Sequence, residues 1–188
     1  MTQLDAVFAA IDAANAQDPT IEHGQPAALL YGRRMSDELA KLYPDAGEPL
    51  QIACRGQHVE RWKLPRSDYP MDRVGYLQWR KEQGRRHAER VAGIMADAGY
   101  DADAQDQARR MLTKQGIKQN ADVQALEDTA CFTFIRWYLG DFSDEQPTEK
   151  LHDIVTKTAR KMSPQARAQA LREFAMPPSL AAVFHDPV

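Results

Sequence analysis

The sequence predicts an all-α fold, a single globular domain of about eight helices. Apolar residues recur three and four positions apart almost throughout, and no stretch sustains the apolar–polar alternation of a strand. Prolines, capping residues and some of the glycines, such as Gly99, Gly116 and Gly140, fall at the ends of the periodic runs. At 188 residues and 43% hydrophobic content, the chain has the length and apolar material of one domain, 1–188, with a real core. A net charge of -3 with 27% charged residues excludes a disordered acidic chain and a basic nucleic-acid tail.

Leu4, Phe8, Ile11 and Ala14 carry the first helix, which stops before Asp18-Pro19. A second opens near Pro26, whose fixed φ suits a first turn, presents Leu29, Leu30, Met35, Leu39 and Leu42, and ends at Pro44. The third starts about Pro49 and runs from Leu50, Ile52, Ala53 and Cys54 into the polar run Arg55-Gly56-Gln57-His58. Trp62 to Pro70 holds two prolines and reads as an ordered loop. Asp72 caps the next helix, which passes through Tyr76, Trp79, His87 and Val91 to Ala98. Gly99-Tyr100-Asp101 is a stop followed by a fresh cap, for a helix ending near Gly116. Another helix begins about Asp122 and contains Leu126, Glu127, Asp128, Cys131, Phe134, Ile135 and Tyr138. Gly140 and Pro147 mark a connection, and the C-terminal helices occupy about 147–174: one carries Leu151, Ile154 and Val155, and Ser163-Pro164 starts the last. Met176-Pro177-Pro178 opens a loose tail, 176–188.

The apolar run Ala6 to Ile11 lies between Asp5 and Asp12 and is far below the ~18 residues of a membrane span. No basic residue precedes it, so neither a signal peptide nor a membrane partner is expected, and the expected location is cytoplasmic. Cys54 and Cys131 read as free buried thiols. The charge is uneven. Arg55 to Arg90 contains ten cations and five acids, a local +5 against -8 for the rest. Such a basic middle suits an anion-binding cleft or a solvated helix face.

His23, His58 and His87 sit in polar company, and the doublet Glu127-Asp128 adds carboxylates from a separate helix. Imidazoles and a carboxylate aimed inward from facing helices suit a divalent metal. Arg61, Arg66 and Arg80 stand among Trp62, Tyr69, Tyr76 and Trp79, so cations that pair phosphate oxygens alternate with faces that can stack on a planar group. Tyr76 and Trp79, at i and i+3, equally suit core packing. The ten glycines are scattered, and no nucleotide cofactor motif is present.

The segment from His87-Ala88-Glu89 to Ala98-Gly99-Tyr100-Asp101 resembles the third-histidine helix of HD-domain phosphohydrolases. Val123 to Ala130 is similar to the segment bearing that superfamily's last metal-ligating aspartate, with Asp128 in its place, and Leu50 to His58 falls where the helix of the His-Asp doublet belongs. Order and spacing agree over about 26–140, which would be an HD-like core. A closer likeness lies in His23-Gly24-Gln25-Pro26, Gln57 to Trp62, Pro65 to Pro70 and Gly75 to Arg80, which are similar to the family catalogued as domain of unknown function 4202. The chain departs from the HD pattern at Val59, which replaces the doublet aspartate, at Tyr31 near the first histidine's place, and at Lys114 at the fourth.

The HD resemblance implies a phosphohydrolase acting on a nucleotide or small phosphorylated metabolite. His58, His87 and Asp128, with His23 as a possible fourth ligand, would hold Mn, Fe, Mg or Zn to activate water, and Arg61, Arg66 and Lys114 would clamp the phosphate. Without metal, Asp128 or Glu127 would act as base and His58 or His87 as acid, or His58 and Asp128 would hydrogen-bond to each other. The alternative is a non-catalytic module that binds a small anionic ligand. Nucleic acid is not expected as a partner at a net charge of -3.

Overall fold

The Thr2 hydroxyl accepts from the Asp5 N–H at 3.1 Å while the Asp5 carboxylate accepts from the Thr2 N–H at 2.9 Å, a reciprocal cap that starts α1 (Gln3–Asn15). The structure is a computed structural model and describes residues 2–140 and 148–185. After α1 the chain makes a feature the periodicity did not predict, an antiparallel pair of two-residue strands, β1 (Ile21–Glu22) and β2 (Gln25–Pro26), with Ile21 opposite Pro26. His23 and Gly24 turn the hairpin at φ 48° and 76°. Strands this short carry no readable alternation.

The helices otherwise follow the expected order. These are α2 (Ala27–Leu42), α3 (Glu48–Arg55), α4 (Arg73–Asp97), α5 (Ala102–Leu112), α6 (Ala121–Trp137), α7 (Thr148–Lys161) and α8 (Pro164–Glu173). Their starts are built as the sequence suggests. Asp72 accepts from Gly75 N–H at 2.7 Å, Asp101 from Ala104 N–H at 2.9 Å and Ser163 from Ala166 N–H at 3.1 Å. Gly75 is required there, since a Cβ would overlap the Pro70 carbonyl. The tail is a correction: Pro178–His185 forms a ninth helix among the described residues, α9. Pro178 occupies a first helical turn, where a missing N–H costs nothing, so the double proline starts a helix rather than ending order.

Two adjoining cores hold these elements. Val7, Ile11, Met35, Ile52, Val91, Met95, Met111 and Leu126 form the first, from α1 to α6. Phe132, Ile135, Val155, Ala159, Met162, Val183 and Phe184 form the second, from α6 to α9. α6 contributes to both, and burying each large side chain such as Phe132 or Phe184 contributes about 1.5–3 kcal/mol. Arg136 joins the layers by pairing with Glu38 of α2 at 2.7 Å and with Glu173 of α8. Cys54 and Cys131 are buried and free. Among the described residues, no helix is long and apolar enough to cross a membrane.

Candidate functional site

Where α3 ends, Gly56 packs so closely on Val91 that a Cβ would collide with it. The chain then turns through Gln57 and His58, buries Val59, and passes Glu60 in a left-handed conformation at φ 53°. The Glu60 N–H donates to the buried Asn15 side chain at 3.1 Å, which pins this turn to α1. α4 holds the next stretch: Gln83 Nε2 donates to the carbonyls of Arg61 (2.9 Å) and Leu64 (3.0 Å), and Trp79 Nε1 donates to Leu64 at 3.0 Å. With its main chain fixed, Arg61 lays its guanidinium over the Trp79 ring, 4.6 Å from the centroid. Arg66 is differently engaged. Its guanidinium donates to the carbonyls of Tyr69 (2.9 Å), Pro70 (2.6 Å) and Asp72 (3.1 Å), bracing its own loop.

Two cavities meet at this loop. The first, about 620 Å³, is mostly aromatic and apolar, with Tyr31, Trp62, Leu64, Trp79, Phe134 and Tyr138 in its wall. The second, about 690 Å³, is polar, with Gln57, Arg80, Lys81, Gln83, His87 and Lys114 among its lining residues. His58 and Arg61 line both. The His58 ring stacks on Tyr31 at 3.8 Å with 14° between planes, and stands 6.1 Å from the His87 ring.

Burial, reinforced by the Arg61 charge, holds the basicity of His58 well below its usual value. Burial also brings His87 down to about 3, with Arg61 adding to the effect and a hydrogen bond to the Gln57 main chain opposing it. Both imidazoles are therefore neutral at physiological pH, and the positive charge of the site comes from arginine and lysine. The cations of the basic segment divide into two groups. Lys63 and Arg90 pair with Glu60, Arg85 and Arg86 with Glu82, and Arg55 with Asp12. Arg61, Arg66, Arg73, Arg80 and Lys81 have no carboxylate partner among the described residues, and of these Arg61, Arg80 and Lys81 line the polar cavity. Two buried polar atoms on residues lining the polar cavity, His87 Nε2 and Gln57 Oε1, have no hydrogen-bond partner among the described residues.

Other residues singled out in the sequence lie elsewhere. Asp128, fully buried, accepts from Tyr43 Oη at 2.7 Å, Gln124 Nε2 at 2.9 Å and the Ser163 N–H at 2.8 Å, and lines neither cavity. It is not paired with His58. Glu127 is held by Lys114, with Lys161 at 3.9 Å. His23 is exposed at the hairpin tip, 3.9 Å from Glu22. The set His23, His58, His87 and Asp128 is thus not brought together, and no group of three or more His, Cys, Asp or Glu side chains among the described residues converges to hold a metal. With the Asp128 oxygens engaged, this donor set does not fit a metal ion.

The aromatics also separate. Trp79 is buried, whereas Tyr76 is 42% exposed between Arg66 and Arg80, so core packing holds for one and not the other. Trp62 lines the apolar cavity, and Tyr69, half-buried, lines neither. Gln57, Lys81, Tyr31 and Tyr138 were not singled out as site residues. Gln57 and Lys81 adjoin His58 and Arg80 in the basic segment, a signal that points to them, whereas Tyr31 and Tyr138 arrive from α2 and the end of α6 with no local cue.

Neither a curated protein nor a solved structure matches the chain. A family model described as domain of unknown function (DUF4202) matches residues 5–184, and the chain belongs to that family.

Proposed function

We propose that the protein binds a small phosphorylated ligand, with its anionic group in the polar cavity and a planar or apolar remainder against the aromatic wall of the neighbouring one. The observation that carries this reading is Arg61, a guanidinium held over Trp79 at the shared wall of both cavities with no carboxylate partner among the described residues. An arginine fork fixed in this way presents paired donors to phosphate oxygens. Arg80 and Lys81 add charge, and Lys114 stands at the rim. The resemblance of the His58 and His87 segments to HD phosphohydrolases supports phosphate as the anion. The engaged carboxylates of Glu127 and Asp128 favour a binding module over a metal-dependent hydrolase.

Thermal unfolding with inorganic phosphate and with adenosine monophosphate tests the reading. Both raise Tm, the nucleotide more, and Arg61→Ala abolishes the rise while Arg109→Ala, whose guanidinium pairs with Asp106 and Glu89 and lines neither cavity, retains it. No rise with either probe overturns the proposal.

A second reading, phosphoester hydrolysis, draws on the unpartnered Nε2 of neutral His87. There it would accept a hydrogen bond from a water whose oxygen attacks phosphorus, the water's proton passing by way of a phosphate oxygen to the departing ester oxygen, with Arg61 stabilising the charge. Phosphate release from phosphomonoesters, abolished in His87→Gln, separates this reading from simple binding.

A further inference from the structure

The floor and the rim of the polar cavity ask for different partners. Arg61, Arg80, Lys81 and Lys114 are donors only, and they suit the oxygens of an anion. His87 and Gln57 are not of that kind. His87 is 4% exposed, its ring is hydrogen-bonded to the Gln57 main chain, and its Nε2 meets no group among the described residues. A neutral imidazole that donates through one nitrogen to a carbonyl offers the other as an acceptor. Gln57 Oε1, also buried and unmet, is an acceptor too. Two hidden acceptors repel phosphate oxygens, and leaving each unmet is costly, so the group that belongs beside them carries hydroxyl or amine protons.

Resting on the anion-binding reading, we infer that the ligand is a hydroxyl-bearing phosphate ester, of the sugar phosphate or polyol phosphate class. Its hydroxyl groups donate to His87 Nε2 and Gln57 Oε1, and its phosphate is met by Arg61, Arg80 and Lys81. The two acceptors then set specificity and the cations set affinity. A site that hydrogen-bonds a substrate hydroxyl rejects an analogue lacking it far more strongly than an apolar pocket rejects a missing methylene. Ligands with phosphate but no hydroxyl are therefore the weak binders.

The test compares ribose 5-phosphate with n-pentyl phosphate, and glycerol 3-phosphate with n-propyl phosphate, by titration calorimetry on the full chain. At least one polyol ester binds tenfold or more tightly than its alkyl counterpart, and His87→Phe and Gln57→Leu each lower that ratio at least fivefold. Gln57, on a half-buried turn, gives a variant whose folding does not depend on the core position of His87. Comparing the ratio between wild type and variant cancels any gain an alkyl chain makes in the aromatic cavity. The inference is overturned if both alkyl phosphates bind as tightly as the polyol esters, or if the ratios are the same in both folded variants. Should neither the four esters nor inorganic phosphate bind, the anion-binding reading fails, and this inference with it.

Discussion

Within one bundle, two sets of buried polar side chains live under opposite conditions. Glu127 and Asp128 on α6 are almost wholly hidden, and each is met, by Lys114 and Lys161 in one case and by Tyr43, Gln124 and Ser163 in the other. His87 on α4 and Gln57 in the turn after α3 carry buried atoms that no described residue meets, beside an arginine with no carboxylate among the described residues. Leaving a buried donor or acceptor unmet costs about 1–3 kcal/mol. The first set ties elements together. The second is left for a guest in the cavity to meet, which is why the proposed site centres on His87 and Gln57 rather than on the two carboxylates.

The largest effect expected from breaking this contrast is at Asp128. Asp128→Ala leaves three donors unmet at the junction of α6, α8 and the loop after α2, and should destabilise the fold by roughly 3–5 kcal/mol in urea unfolding. A loss below about 1 kcal/mol would return Asp128 to the list of site residues. Glu127→Gln should cost about 2 kcal/mol by weakening the hold on Lys114. The same change frees that ammonium at the cavity rim, so affinity for inorganic phosphate should rise severalfold, and an unchanged affinity would place Lys114 outside the site.

The pH dependence of stability sharpens the other side. In the fold His87 takes up a proton only near pH 3, whereas in the unfolded chain it does so near its ordinary 6.5, and His58 is shifted the same way. The unfolded state thus binds protons first. The contribution of these histidines is complete above pH 6.5 and is lost as the pH falls from there toward 3, at up to about 1.4 kcal/mol per pH unit for each. Between pH 6.5 and 5, before most carboxylates titrate, wild type should lose stability more steeply than His87→Gln, as read from chemical unfolding at fixed pH. Equal slopes would mean that His87 is accessible to solvent. The smallest effect is expected at Arg61, which has no ion pair among the described residues to lose: Arg61→Ala should change stability by less than about 1 kcal/mol while abolishing phosphate-induced stabilisation.

The fold was legible wherever local chemistry sets local structure. Asp72, Asp101 and Ser163 read as caps because an extended backbone and a short oxygen side chain suffice, whatever the rest of the chain does. The hairpin at 21–26 was not legible, since its turn rests on positive φ at His23 and Gly24 rather than on alternation. Helix α9 was hidden by reading Pro177-Pro178 as a breaker, when its Val183 and Phe184 complete the second core. For the site, the concentration of cations was visible, and whether each is paired was not. Arg55 is neutralised by Asp12 from α1 and Lys114 by Glu127 from α6, partners that only the packing of distant helices brings near. Trp79 and Tyr76 show the same limit, for their spacing puts them on neighbouring faces and the loop at 61–64 decides which is covered.

The position of Trp79 has an optical consequence. Its indole lies beneath the Arg61 guanidinium and donates to the Leu64 carbonyl, while Trp62 borders the apolar cavity. An anion that draws the guanidinium off the ring alters the electric field along the indole and shifts its emission. The chain therefore carries an intrinsic fluorescent gauge of occupancy at its own arginine, readable without a label.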